Sequence, residues 1–345
     1  LRSSTILASG FAILAAASTP AASEPGVSWT GSVSTDWFDA DNWAAITVPT
    51  ASDPVFIQNL GNPAVIGLGT ASAASVALGG IMPGSGVLTI TEGGILNPGA
   101  VTTGDFLTAS GTLHIGATVG NPLTAAGTLN ASAVTFGLLG GTINFNHTDT
   151  DYEFGTQISG GGAINVMAGT TVLTGDNSLY SGAISINAGT LVAGSNTAFG
   201  TGSISTFSGV LGYRDGVTVT NTINAGIGFA PILEVATGTA TQAGQITGMM
   251  PGLLIVKTGA GTLVLTSDNP NLGGISILAG RLQLGNGGTS GSIGTTGPIV
   301  NSGVLAFNRS DEITFANLIF GTGAVEQNGT GTTILSGINS YLGGT

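Results

Sequence analysis

Four side chains in one short stretch could do chemistry together: His147, Asp149, Asp151 and Glu153 stand at every second position. On an extended strand that period puts all four on one face. Neighbouring carboxylates could ligate Ca²⁺, or serve as acid and nucleophile on a glycan. Glycan chemistry on stacked strands also needs Lys or Arg from nearby coils. The first basic residue after Glu153 is Arg214, about sixty positions on. A solvated outer face is the commoner reading of such acids. His114 and His147 are the only histidines, and with no cysteine they have no partners at metal spacing. No G-x-S-x-G elbow stands with triad partners. The glycine triplet 160–162 is expected by chance in a chain with 60 glycines, so it signals no phosphate cradle. The N-x-S/T triplets headed by Asn130, Asn146, Asn308 and Asn328 carry no chemistry of their own. The expectation is therefore no catalytic, cofactor-binding or metal residues, and no cofactor.

The elements that would position these residues are short strands. Hydrophobic residues make up 42% of the chain but charged ones only 6%, against roughly 25% in ordinary globular proteins. A surface of Ser, Thr, Asn and Gly fits repetitive β-structure, and a mean hydropathy of +0.45 speaks against disorder. Apolar residues alternate at Leu88 and Ile90 and at Leu113 and Ile115, the mark of strands with one face inward. Glycine punctuation supplies the turns. Net charge is −12, and the five basic residues, Arg2, Arg214, Lys257, Arg281 and Arg309, are scattered. That excludes nucleic acid, which needs clustered cations, and docking on anionic lipid. The missing cysteines fit two readings equally: passage through a pore unfolded, or a core large enough to need no staples.

One stretch recurs. Residues 169–194, 261–286 and 331–345 (incomplete) align: Leu173 with Leu265 and Leu335, Asn177 with Asn269 and Asn339, Ile184 and Ile186 with Ile275 and Ile277, Leu191 and Ala193 with Leu282 and Leu284. The units beginning at Ser208 and Ser302 also correspond. The asparagines are 92 and then 70 residues apart. The difference is about one coil of a solenoid, so a linear stack with coils added or lost is expected. About thirteen coils at about 4.8 Å give a rod of about 60 Å. The recurring asparagines are expected to stack up the rod at a corner.

The N-terminus differs from the rest. Arg2, an apolar run at 6–17 and small residues at 18–23 make a secretory signal peptide over 1–23. Residues 24–58 hold all three tryptophans, Trp29, Trp37 and Trp43, with Asp36, Asp39, Asp41 and Asp53. A solenoid's end coil must be covered, so this segment reads as an N-terminal cap; a sugar-stacking site of tryptophan faces is the sharper alternative. Residues 59–345 form the body.

The stretches KTGAGTLVLTSDNPNLGGISILAGRLQLG at 257–285 and AGTTVLTGDNSLYSGAISINAGTLVAG at 168–194 resemble the autotransporter-associated β-strand repeat of Gram-negative outer-membrane autotransporter passengers. The segments at 145–154 and 29–43 resemble such passengers too. The resemblance implies an all-β, right-handed parallel β-helix (solenoid), exported through the inner membrane and exposed at the outer membrane, cell surface or beyond it. It also implies a C-terminal translocator β-barrel, which is missing from these 345 residues. The expected function is a non-enzymatic scaffold or adhesin. Its partners would be a host or neighbouring-cell ligand, a glycan, or another copy of the chain through open strand edges. The enzyme alternative is a glycan-active polysaccharide lyase or hydrolase.

Overall fold

In a computed structural model the chain is described over residues 26–58, 61–79, 85–104, 109–225, 228–248, 253–295 and 297–345. The leader expected at 1–23 lies outside the described residues. The rest winds into a parallel β-solenoid of about 12 turns. Its strand ladders are parallel, as in Leu88 beside Leu113 and Leu191 beside Leu211. A 3₁₀ turn at Ala40–Asn42 is the single helical element among the described residues.

Each turn visits three faces. The first carries a six-stranded sheet from Val27–Trp29 to Gln157–Ser159, then a second from Thr218–Val219 to Ala324–Gln327. The second carries nine strands from Ala64–Ile66 to Ile246–Thr247, then two, Glu312–Phe315 and Thr332–Leu335. The third carries three strands, Gly69–Ala73, Gly94–Pro98 and Thr128–Leu129, then ten from Tyr152–Phe154 to Ser340–Tyr341. Alternation puts Ile90, Ile115, Phe145, Val166 and Ile186 in one inward column, all fully buried. Each such side chain contributes roughly 1.5–3 kcal/mol of burial, against the entropy of ordering a glycine-rich chain.

Each face therefore breaks once and restarts, and the repeats follow the restarts. The lead strand of the first repeat, Thr170–Leu173, lies on the third face; that of the second, Thr262–Leu265, on the first; that of the third, Thr332–Leu335, on the second. Successive copies are separated by four turns plus one face, then by three turns plus one face. The one-coil difference expected from spacing holds, but each copy is also advanced by a third of a turn. The expected asparagine stack is thereby corrected. Asn177, Asn269 and Asn339 stand on three different faces and cannot touch. Each instead bonds the turn before it: the Oδ1 atoms accept from the backbone N–H of Ile158 at 2.7 Å, Ile246 at 2.8 Å and Ile319 at 2.9 Å. A side-chain ladder does exist on the second face, outside the repeats. Asn165 Nδ2 donates to Asn144 Oδ1 at 2.9 Å, and Asn144 Nδ2 lies 3.4 Å from His114 Nδ1.

The tryptophans close on one another beside the first strand. Trp43 meets Trp29 and Trp37 edge-on at 4.9 and 4.7 Å, and donates from Nε1 to the Trp37 carbonyl. All three are at most 4% exposed, so no ring face is open to a sugar. The glycine triplet is also more than chance. A Cβ on Gly160 (φ +88°) would stand 2.2 Å from the Phe136 carbonyl oxygen, and one on Gly162 2.0 Å from the Phe136 ring. Gly161 alone has room.

Candidate functional site

The segment from His147 to Thr156 carries the chain from the second face to the third. Regular strand exists there only over Tyr152–Phe154, and the ladder slips between Phe145 and Asn146. The alternation that would align the four candidates therefore fails before Tyr152. They separate into an inner pair and an outer pair.

The inner pair is His147 and Asp149. His147 is fully buried, with Nε2 2.8 Å from Thr171 Oγ1 and Nδ1 3.4 Å from Asp149 Oδ2. Asp149 Oδ2 also accepts the Ala126 N–H at 2.6 Å. Carboxylate, imidazole and hydroxyl stand in the order of an acyl-transfer relay. Thr171, however, is fully buried in a strand paired on both sides, so no acyl donor can reach its oxygen. Burial lowers the His147 pKa, and Asp149 opposes that only in part. The imidazole is neutral at pH 7 and acts as a packed hydrogen-bonding group. Gly169, which opens the first repeat, is required by it: a Cβ there would lie 2.4 Å from Nδ1.

The outer pair is Asp151 and Glu153, whose side chains are 74% and 55% exposed. Arg214 ion-pairs with Glu153 and stands 3.9 Å from Asp151. Sequence distance excludes this arginine as a neighbour, yet the winding returns it to the acids, across the outward positions Val172, Val192 and Gly212. The same economy of cations holds elsewhere. Arg281 pairs with Glu326, and Arg309 with Asp311 at 2.8 Å. Lys257 is buried, with Nζ donating to the carbonyls of Thr258, Gly259 and Ala279. Burial lowers its pKa to about 8, partly countered by Glu234. Among the described residues no three His, Cys, Asp or Glu side chains converge to hold a metal ion.

Beside the acids lies a cleft of about 320 Å³, lined by Thr128, Leu129, Asn130 and Ala131 on one wall and residues 152–156 on the other. It is the break in the third face: Thr128–Leu129 ends the three-stranded sheet and Tyr152–Phe154 begins the ten-stranded one. Two side chains bridge it. Tyr152 donates its hydroxyl to the Gly127 carbonyl at 2.9 Å, and Thr156 Oγ1 to the Leu129 carbonyl at 3.2 Å. Desolvation raises the Tyr152 pKa well above its usual value, with Asp149 adding to the effect, so the phenol stays protonated. No sequence signal marks Thr128, Asn130 or Thr156; only the missing ladder does.

The family described as passenger-associated-transport-repeat matches residues 168–193, 255–284 and 325–345, each match overlapping one of the repeats seen in the sequence, whose lead strands stand on three different faces. The chain carries the repeats of an autotransporter passenger domain. A stretch of 88 residues is 43% identical to the protein named adhesin BmaC autotransporter of Brucella suis biovar 1 (strain 1330), covering 25% of this chain and 2% of that relative. The chain thus matches only a small part of that relative's length. No solved structure matches the chain. Repeats of this family imply export across the inner membrane and display at the outer membrane or cell surface.

Proposed function

We propose that this passenger is a non-enzymatic scaffold or adhesin displayed at the cell surface. The observation that carries the reading is the fate of its reactive groups. The histidine relay is sealed in the core, and the outer carboxylates are held by Arg214. What the stack offers outward is a long, uncharged face of Asn, Ser and Thr, running from Asn165 through Ser185 and Ser205 to Asn224, a shape suited to extended ligands. The name of the Brucella relative, an adhesin, agrees with it. In the same reading, residues 1–23 are a secretory leader, 24–58 with their buried tryptophans cap the stack, and a translocator barrel is the partner in export. The test is to display the passenger on a non-adherent bacterium and count attachment to host cells and to neighbouring bacteria. Attachment above that of cells displaying an unrelated passenger is expected; attachment equal to theirs removes the adhesin role.

A further inference from the structure

We infer that the break in the third face is a peptide-binding site, which takes an extended segment of a partner protein between its two walls as an added parallel strand.

Three observations point there. First, the walls are strand edges. Neighbouring turns on this face pair along Ile95–Leu96 below the break and Thr171–Leu173 above it, but not across it. Second, the free backbone groups have strand spacing. In a parallel strand, alternate residues turn N–H and C=O to the same neighbour. Thr174 donates to the Phe154 carbonyl, so Tyr152 and Phe154 serve the ten-stranded sheet. Glu153 and Gly155 then present their N–H and C=O to the cleft. Opposite, Asn130 donates to the Leu96 carbonyl, which turns Leu129 and Ala131 toward the cleft, while Gly127 gives its N–H to the Ile90 carbonyl and offers the cleft only its own carbonyl. Two of those carbonyls are met by Tyr152 and Thr156 side chains, stand-ins that an incoming strand can displace. The longer wall, 152–156, spans about 16 Å at about 3.3 Å per residue. Unpaired strand edges are templates for pairing with another chain, and an extended peptide supplies a donor and an acceptor at the same spacing.

Third, the charge at the mouth selects the occupant. Glu153 lines the cleft and Asp151 flanks it, and the cation they hold is Arg214 from three turns away. A partner strand with Lys or Arg at its centre would take over Glu153. The occupant is thus a short extended segment, small or β-branched, with one central basic residue. The inference rests on surface display only in placing this partner outside the cell. Binding to the purified chain reads the site alone, whereas attachment reads the adhesin role, so either can fail without the other.

The probe is a fluorescein-labelled, end-blocked pentapeptide, Thr-Val-Lys-Val-Thr, titrated with the full chain at low salt. A saturable rise in anisotropy is expected, and none with Thr-Pro-Lys-Pro-Thr, which lacks two N–H donors. Ala131→Trp, which fills the cleft, should abolish the rise while leaving the melting temperature in place. Glu153→Gln should weaken binding about two- to fivefold, and Arg214→Ala, by removing the competing cation, should tighten it by a similar factor. Should Ala131→Trp not fold, hydrogen exchange on the unaltered chain decides: peptide must slow exchange over 149–156. No anisotropy change, equal binding of the proline peptide, or unchanged exchange in that segment would overturn the inference. So would protection of it by chitotetraose and not by peptide.

Discussion

Two buried titratable groups make the stack's stability rise with pH, each in its own window. His147 has a lowered pKa in the fold because burial disfavours the imidazolium. The unfolded chain therefore binds more protons below about pH 6.5, and the His147 contribution, full above that value, is lost as pH falls. Urea midpoints at pH 7.5 and 5.0 should converge when His147→Gln is compared with the unaltered chain at the lower pH. Lys257 also has a lowered pKa, about 8, against an ordinary value near 10.4 unfolded. Between those values the unfolded chain again holds the extra proton, so stability rises with pH above about 8. The clean window closes near pH 10, where tyrosines ionise in the unfolded state while Tyr152, Tyr180 and Tyr213 resist it in the fold. A rise in urea midpoint from pH 8 to 9.5 that disappears in Lys257→Met is the expected result. The burial of Lys257 is legible only in part, since Leu233 and Ile277 flank it in the inward column but neither neighbours it in sequence.

At the scale of elements, the repeat asparagines are interchangeable in role and unequal in burial. Asn177 and Asn269 are almost fully buried, and Asn339 is half-buried. Removing the acceptor leaves a backbone N–H without a partner, a loss of roughly 1–3 kcal/mol where water cannot replace it. Alanine at 177 or 269 should cost about that much in urea unfolding, and at 339 distinctly less. Equal losses at all three would show that the bond to the preceding turn is not what these residues supply. Much of this level was readable from sequence. Alternation located the strands Ile184–Ile186, Thr190–Ala193, Ile275–Ile277 and Arg281–Leu284, because inward Leu and Ile leave a period of two. The face each strand occupies was not readable. It depends on the summed lengths of all earlier turns, which range widely because loops such as 117–126 intervene. The acids at 149, 151 and 153 misled for a related reason: parity predicts a shared face only inside a strand, and the strand starts at Tyr152. The glycine triplet misled in the other direction, since its necessity comes from Phe136, one turn away.

Across the whole molecule, scarce cations are spent as clasps between turns. Arg214 reaches back over two intervening turns to Glu153, and Arg281 reaches forward to Glu326. Both pairs are partly exposed, so each contributes only about 0–1 kcal/mol, and Arg214→Ala should shift the thermal midpoint little. Arg309 is different. It is nearly buried, holds Asp311, donates to the Thr289 carbonyl and approaches Asp268 at 3.8 Å. Arg309→Ala should cost clearly more than Arg214→Ala, on the order of 1–3 kcal/mol, by the same thermal measurement. A cost for Arg214 as large would mean that its clasp restrains the stack beyond the pair itself.

The third-of-a-turn advance between repeats gives the rod a compass as well as a length. Matching segments are where a gene can gain or lose a unit with the fold's local pattern kept. Excising the stretch between the first two repeats would join matching sequence to matching sequence and shorten the stack by four turns. It would also swing everything beyond the junction by about 120° about the axis, since the excised length is four turns plus one face. Variation in repeat number would then change not only how far from the cell a given surface stands but which way it looks.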